Sequence, residues 1–364
     1  MRILVAPDMF SGPLTAVHAA AAIAEGWRRH APGDEVRTVP MGDGGPGFLD
    51  VLHHALGGDL LSVQTQDPYG GPTPAGIVLV DGTAYVESSQ ACGQHLAERY
   101  EAGDPESASS YGVGLLVATA VAEGARTVVV GLGGSGISDA GAGMLAALGM
   151  TGDVAFDRGA AGLAGVSSVD LRPVRERLDG VDVVIAGDVD NPLLGLIGTT
   201  NVHGAQRGIG ADRRQTVDGW LEGFARATDR ALANQKGAGA GGGLGFGLML
   251  LGGSCRPGVQ LVAEIVDLAG AAGWSDLVVT GEGAFDFSSR SGSVTYGVAE
   301  AAGRAVRPCI ALAGEVLVGS REMRAMGVES AYSVSELVGA EAARDDPYES
   351  LARLARRVAR TWSH

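Results

Sequence analysis

Positive charge is scarce in this chain of 364 residues: 27 lysines and arginines face 42 acids, the formal net charge is −15, and Lys236 is the only lysine. A nucleic-acid backbone or an anionic membrane demands a basic surface, so neither is expected as a partner. Cysteine is equally sparse. Cys92, Cys255 and Cys309 are far apart, odd in number and in no metal-ligand spacing, which excludes a disulfide framework and fits a reducing cytoplasm. No window reaches the roughly 18 uncharged apolar residues of a membrane span. The opening Met1-Arg-Ile-Leu-Val-Ala-Pro-Asp has too short an apolar run for a signal peptide and reads as a first strand. His18, His53, His54, His95 and His203 show no ligand spacing. GxxxxGK(S/T) is absent and no GxGxxG follows the first strand, which excludes a P-loop kinase and counts against a dinucleotide enzyme.

What is present is a 46% hydrophobic chain, enough for the cores of two or three domains. Strand and helix alternate at both ends. Strands are expected at 2–6, 35–40, 277–280, 309–313 and 330–333, and helices at 14–30 (Thr15 as N-cap), 48–56, 294–305 and 348–362. Five such strands are the count of a flavodoxin-like doubly wound sheet. The stretch between the two ends is too long for a loop and is itself α/β. It contains a hairpin, 76–80 and 84–87 across Asp81-Gly82, and strands at 127–132 and 181–186. The expected division is therefore a discontinuous flavodoxin-like domain, 1–60 and 275–364, carrying an inserted α/β domain at 61–274. A small-molecule substrate would sit in a cleft between them. A homodimer is compatible with the sequence, which leaves the oligomeric state open.

Acidic turns hinged on glycine follow the apolar runs. They carry Asp8, Asp43, Asp139, Asp190, Glu282 and Asp286. Carboxylates at strand C-terminal edges lie where open α/β sheets bind ligands, a pattern that suggests a site handling Mg²⁺ and phosphate. Gly133-Gly134-Ser135-Gly136 precedes a helix expected to begin near Asp139, whose free amides and dipole would bind an anion.

The blocks APDMFSGPLTAVHAAAAIAEGW, PMGDGGPGF, GLGGSGISDAGAGMLAALG, DVDNPLLG with HGAQRG, GAGAGGGLGFGL and DLVVTGEGAFD with SGSVTYGVAEAA resemble successive signatures of the glycerate kinase family, in order from residue 1 to about 315. The resemblance implies a two-domain enzyme that passes the γ-phosphoryl of ATP to D-glycerate with Mg²⁺. Phosphoryl transfer needs in-line positioning, neutralised phosphate oxygens and a carboxylate for the hydroxyl proton. On that basis Asp190, Asp43 and Asp286 are the expected catalytic residues, with Asp190 and Asp43 on Mg²⁺. Asp8, Ser11, Phe48, Gly133, Gly134, Ser135, Asp139, Asn191, Arg207, Glu282 and Arg290 are expected to bind substrate or nucleotide.

The departures from the family pattern remove charge. Ser11 stands where the family usually has Lys, Pro46 where it has Glu and Phe48 where it has Thr; Ala284, Ser288 and Ser293 replace Arg, Gln and Lys. Arg207, where the family tends to have Lys, keeps a cation, and Arg290 is the candidate to replace those lost. Three readings stay open: a kinase of glycerate or a related hydroxy acid, a member repurposed for another reaction, and a catalytically silent ligand-binding homologue. If Phe48 and Pro46 wall the acceptor pocket, the ligand should be larger and less anionic than glycerate. Restoring Ala284→Arg with Ser293→Lys should then raise glycerate affinity if the ancestral pocket survives.

Overall fold

A computed structural model describes residues 1–10, 14–100, 103–290 and 292–363. The chain packs as two compact units, one of Met1–Asp43, Asp50–Leu56 and Pro257–His364, the other of Gly44–Leu49 and Gly57–Arg256. The helices Gly258–Ile265 and Leu268–Trp274 thus belong to the first unit, packed along the helix Val294–Arg304.

In the first unit the strands Arg2–Val5, Glu35–Thr38, Leu277–Phe285, Cys309–Val316 and Ser330–Ser333 form one parallel sheet. From one edge to the other they run fifth, fourth, third, first, second in sequence order, the flavodoxin-like doubly wound arrangement. Ile3, Leu4, Val5, Leu277, Val278, Val279 and Ile310 are fully buried, as expected for a parallel sheet covered on both faces. Helices Ala16–Arg28 and Pro347–Trp362 pack on one face, joining Ile23 and Trp27 to Leu351, Leu354 and Val358. Thr15 caps the first of these, accepting the His18 amide at 3.3 Å. The second opens on Asp346, whose carboxylate accepts the Glu349 amide, and on Pro347 at its first position.

The second unit holds a six-stranded mixed sheet. The strands Asp59–Gln66, Pro72–Val80 and Thr83–Glu87 form an antiparallel meander, which Thr127–Gly131, Asp182–Ala186 and Ser254–Arg256 extend in parallel. Asp81 and Gly82 both have positive φ, 50° and 78°, the geometry of the two-residue hairpin that their sequence signals. The glycine-rich run becomes the helix Ala240–Met249, whose first turn is left-handed at Gly241, Gly242 and Gly243. A Cβ at Gly242 would overlap the carbonyl of Ile137, so glycine is required there on both steric and conformational grounds.

Candidate functional site

The first unit's strand order reverses between Arg2–Val5 and Leu277–Phe285, and the crevice at the C-terminal ends of such strands is where doubly wound sheets take ligands. The chain is pinned there by hydrogen bonds that outrun the strands. The Asp8 amide donates to the Gly281 carbonyl at 2.8 Å, the Thr280 hydroxyl to the Ala6 carbonyl at 2.9 Å and the Met41 amide to the Pro7 carbonyl at 3.0 Å. These contacts hold Asp8, Asp43 and Glu282 at one sheet edge.

Asp8 feels the other two carboxylates. Burial first, then the charge of Asp43, push Asp8 up to about 8, with Glu282 adding to the rise and the Met9 amide opposing it. Burial likewise raises Glu282, with Asp286 adding and the Thr295 and Ser289 hydroxyls opposing. The Thr295 hydroxyl is near enough to pull on Glu282 but makes no aligned hydrogen bond, so Glu282 Oε1 and Thr295 Oγ1 are both buried without a partner. Neither Asp8 nor Glu282 joins an ion pair among the described residues. Asp286 is differently placed. Its Oδ1 accepts the Ser288 amide at 2.7 Å and the Ser288 hydroxyl at 2.6 Å, bonds that lower its pKa and close a turn. Ser11 and the side chain of Arg290 lie outside the described residues.

The second unit holds the other expected residues. Gly133, Gly134, Ser135 and Arg207 line one small cavity. Asp190 is exposed and pairs with Lys236 Nζ at 3.1 Å, in water on both sides. The side-chain oxygen and nitrogen of Asn191 are both buried without a hydrogen-bond partner.

Two of the expected residues lie in the interior. Asp139 is fully buried, and its carboxylate accepts the Ser110, Gly141 and Gly143 amides and the Ser110 hydroxyl. The helix after the GGSG turn begins only at Ala142 and spans seven residues, and Asp139 already takes up amides at its start, so no helix terminus faces the turn. Phe48 is the second case. Its ring is fully buried, edge-on to Tyr85 at 6.4 Å between centroids, so it is a core residue and walls no pocket. A buried acid that sequence reasoning passed over is Glu87, whose oxygens accept the Leu49 amide at 3.1 Å and the Ser89 hydroxyl at 2.5 Å. Its only signal was an acid closing an apolar strand, in YVESS.

A sequence model of the glycerate kinase family matches residues 3–363. The chain belongs to the glycerate kinase family. It is 34% identical to the glycerate kinase of Bacillus subtilis (strain 168), with 99% of this chain and 96% of that protein covered. To the glycerate 2-kinase of Escherichia coli K12 it is 32% identical, over 99% and 98% of the two chains. The crystal structure of a presumed glycerate kinase 2 from Salmonella typhimurium LT2 superposes with a TM-score of 0.84 at 31% identity, covering 99% of this chain and 98% of that one. The fold is therefore the glycerate kinase fold.

Within that family frame the altered positions have structural work of their own. Ser293 caps the helix Val294–Arg304, accepting the Tyr296 amide at 3.2 Å and donating to the Ser289 carbonyl at 2.6 Å. Ala284 is exposed and lies opposite Glu315 in the sheet register, so an arginine there would meet a carboxylate before any substrate. The double restoration of Arg and Lys therefore has a cost: Ser293→Lys removes a cap and is expected to destabilise the protein by about 1 kcal/mol. Urea unfolding of Ser293→Lys beside Ser293→Asp, which keeps a cap, measures it; equal stability of the two would show that the cap contributes nothing.

Proposed function

We propose that this family member is an ATP-dependent phosphotransferase, moving the γ-phosphoryl group of ATP to a hydroxyl of glycerate or a related hydroxy acid. The observation that carries the reading is the group of carboxylates at the switch point, with Asp8 held at about 8 beside Asp43 and Glu282. The names of the Bacillus and Escherichia relatives support it. In the reaction the acceptor oxygen bonds to the γ-phosphorus as the bond from that phosphorus to the β–γ bridging oxygen breaks. ADP leaves with the bridging oxygen, and the hydroxyl proton passes to Asp8. The Met9 amide holds Asp8 Oδ1 at 2.7 Å, which makes Oδ2 the atom that receives the proton.

Membership of the family implies Mg²⁺, which is commonly held by one or two carboxylates together with substrate phosphates. Among the described residues no three acid, histidine or cysteine side chains form a ready cage. Glu282 fits the smaller demand, because it offers a buried oxygen that no donor satisfies. When bound, the ion would neutralise charge on the transferring phosphate. Asp43 completes the group. Asp190, also expected on the metal, is exposed and pairs with Lys236 at the surface. No described helix is long and apolar enough to cross a membrane, and three free thiols fit a cytoplasmic enzyme.

The test is ATP consumption by the purified protein across a panel of hydroxy acids that includes D-glycerate, with Mg²⁺. Consumption that depends on one acid is the expected result. Nucleotide binding without turnover would make the chain a silent homologue, and no nucleotide binding would mean a different chemistry.

A further inference from the structure

The second unit contains a guanidinium with no counter-anion among the described residues. Arg207 Nε donates to the Ser135 carbonyl at 3.2 Å, and Nη1 donates to the Thr199 hydroxyl at 3.0 Å and the Ser138 hydroxyl at 3.4 Å. All three acceptors are neutral, and no ion pair among the described residues includes Arg207. Burial lowers its pKa to about 10, only partly offset by the nearby Cys92. Burial, and then the Arg207 charge, lowers the pKa of His203.

That space is a cavity of about 200 Å³, lined by Gln94, Gly133, Gly134, Ser135, His203 and Arg207 among others. The loop on its wall offers donors. The amides of Gly133, Gly134 and Ser135 make no hydrogen bond within the described residues, and Gly134 takes φ +61°, the left-handed step by which successive amides form an anion-binding concavity. A partly buried cation and three unused amides around a small cavity suit a compact, multiply charged oxyanion better than a single carboxylate, which has too few oxygens for that many donors.

We propose that this cavity binds a phosphoryl group, held between the Arg207 guanidinium and the Gly133–Ser135 amides. The proposal rests on the phosphotransferase reading only for the source of that group, which is the nucleotide or the phosphorylated hydroxy acid. It identifies a phosphate subsite without lysine, in a chain whose single lysine is bound to Asp190.

Calorimetric titration of the full chain with inorganic phosphate, ADP, 2-phosphoglycerate and D-glycerate tests it in the wild type, Arg207→Gln, Arg207→Lys and Gln94→Glu. Phosphate affinity should fall at least tenfold in Arg207→Gln and less than threefold in Arg207→Lys. Arg207 also ties three segments together, so Arg207→Gln is read beside its own thermal unfolding. Gln94→Glu leaves those ties in place, sets a negative charge at the cavity, and should also weaken phosphate at least tenfold. A parallel loss for ADP identifies the nucleotide as the source, and a parallel loss for 2-phosphoglycerate identifies the product. Unchanged phosphate binding in Arg207→Gln and Gln94→Glu, or a larger loss for D-glycerate than for phosphate, overturns the proposal. If no hydroxy acid drives ATP consumption yet phosphate binds through Arg207, the phosphotransferase reading fails and the subsite stands. If turnover persists unaltered in Arg207→Gln, the subsite fails and the reading stands.

Discussion

Asp8→Asn is expected to lower phosphoryl transfer at least 100-fold and, in the same protein, to raise stability at pH 8. The loss follows from removing the proton acceptor, since a positioned base is worth about 10²–10⁴ in rate. The gain follows from the crowding that gives the group its function. Asp8 rises from an ordinary 3.8 to about 8 in the fold. The folded state therefore keeps a proton that the unfolded chain releases, and the stability contribution is fully present below about pH 4, is lost as pH rises, and levels off above about 8. At about 1.4 kcal/mol per pH unit the penalty is at most about 6 kcal/mol, and partial access to solvent and the buried amide of the variant reduce the expected gain to about 2 kcal/mol. Urea unfolding from pH 5 to 9 checks it: the wild type should lose stability with rising pH across this window and Asp8→Asn should not. The same carboxyl should make kcat/KM of the wild type climb with pH until about 8. Retained turnover in Asp8→Asn, or an unaltered stability slope, would remove Asp8 from the mechanism.

Much of the first unit was legible because a parallel sheet buried on both faces leaves continuous apolar runs in the sequence, such as Ile3–Val5 and Leu277–Val279. Those runs place Asp8 just beyond the first strand, whereas the strand expected at 277–280 runs on to Phe285 and takes Glu282 into its pairing, opposite Ala313. The second unit hides more. Its edge strand Asp59–Gln66 is mostly exposed or half-buried and carries a weak apolar signal, whereas the helix Tyr111–Ala122 is apolar all round and lacks the amphipathic stripe that marks a helix. Side-chain direction was the other blind spot. Whether Phe48, the first residue of its helix, turns to a pocket or to the core depends on Tyr85 across the sheet, far away in sequence. The missing counter-anion of Arg207 is likewise a statement about what three separate segments do not bring, and no local spacing records it.

Asp139→Asn is the second large effect, and it falls on the fold. Four donors converge on this buried carboxylate: the Ser110 amide at 2.7 Å, the Ser110 hydroxyl at 2.8 Å and the Gly143 amide at 3.2 Å on Oδ2, and the Gly141 amide at 2.9 Å on Oδ1. The Met144 amide then donates to the Ser110 hydroxyl at 2.9 Å, so one acid organises both the loop before Tyr111 and the start of the helix Ala142–Leu148. An asparagine has one acceptor oxygen. In its better orientation the amide nitrogen still faces the Gly141 amide, donor against donor. Burial opposes this loss, because it raises the Asp139 pKa and a neutral side chain escapes that penalty. The hydrogen bonds prevail, since three of the four donors are backbone amides that cannot turn elsewhere, and a net cost of about 2–4 kcal/mol is expected. Ser110→Ala, which leaves three amides on the carboxylate, should cost about 1–2 kcal/mol. Urea unfolding of both variants, with phosphate binding measured on the folded protein, decides between a fold role and a ligand role. A stable Asp139→Asn variant that no longer binds phosphate would return Asp139 to the binding site.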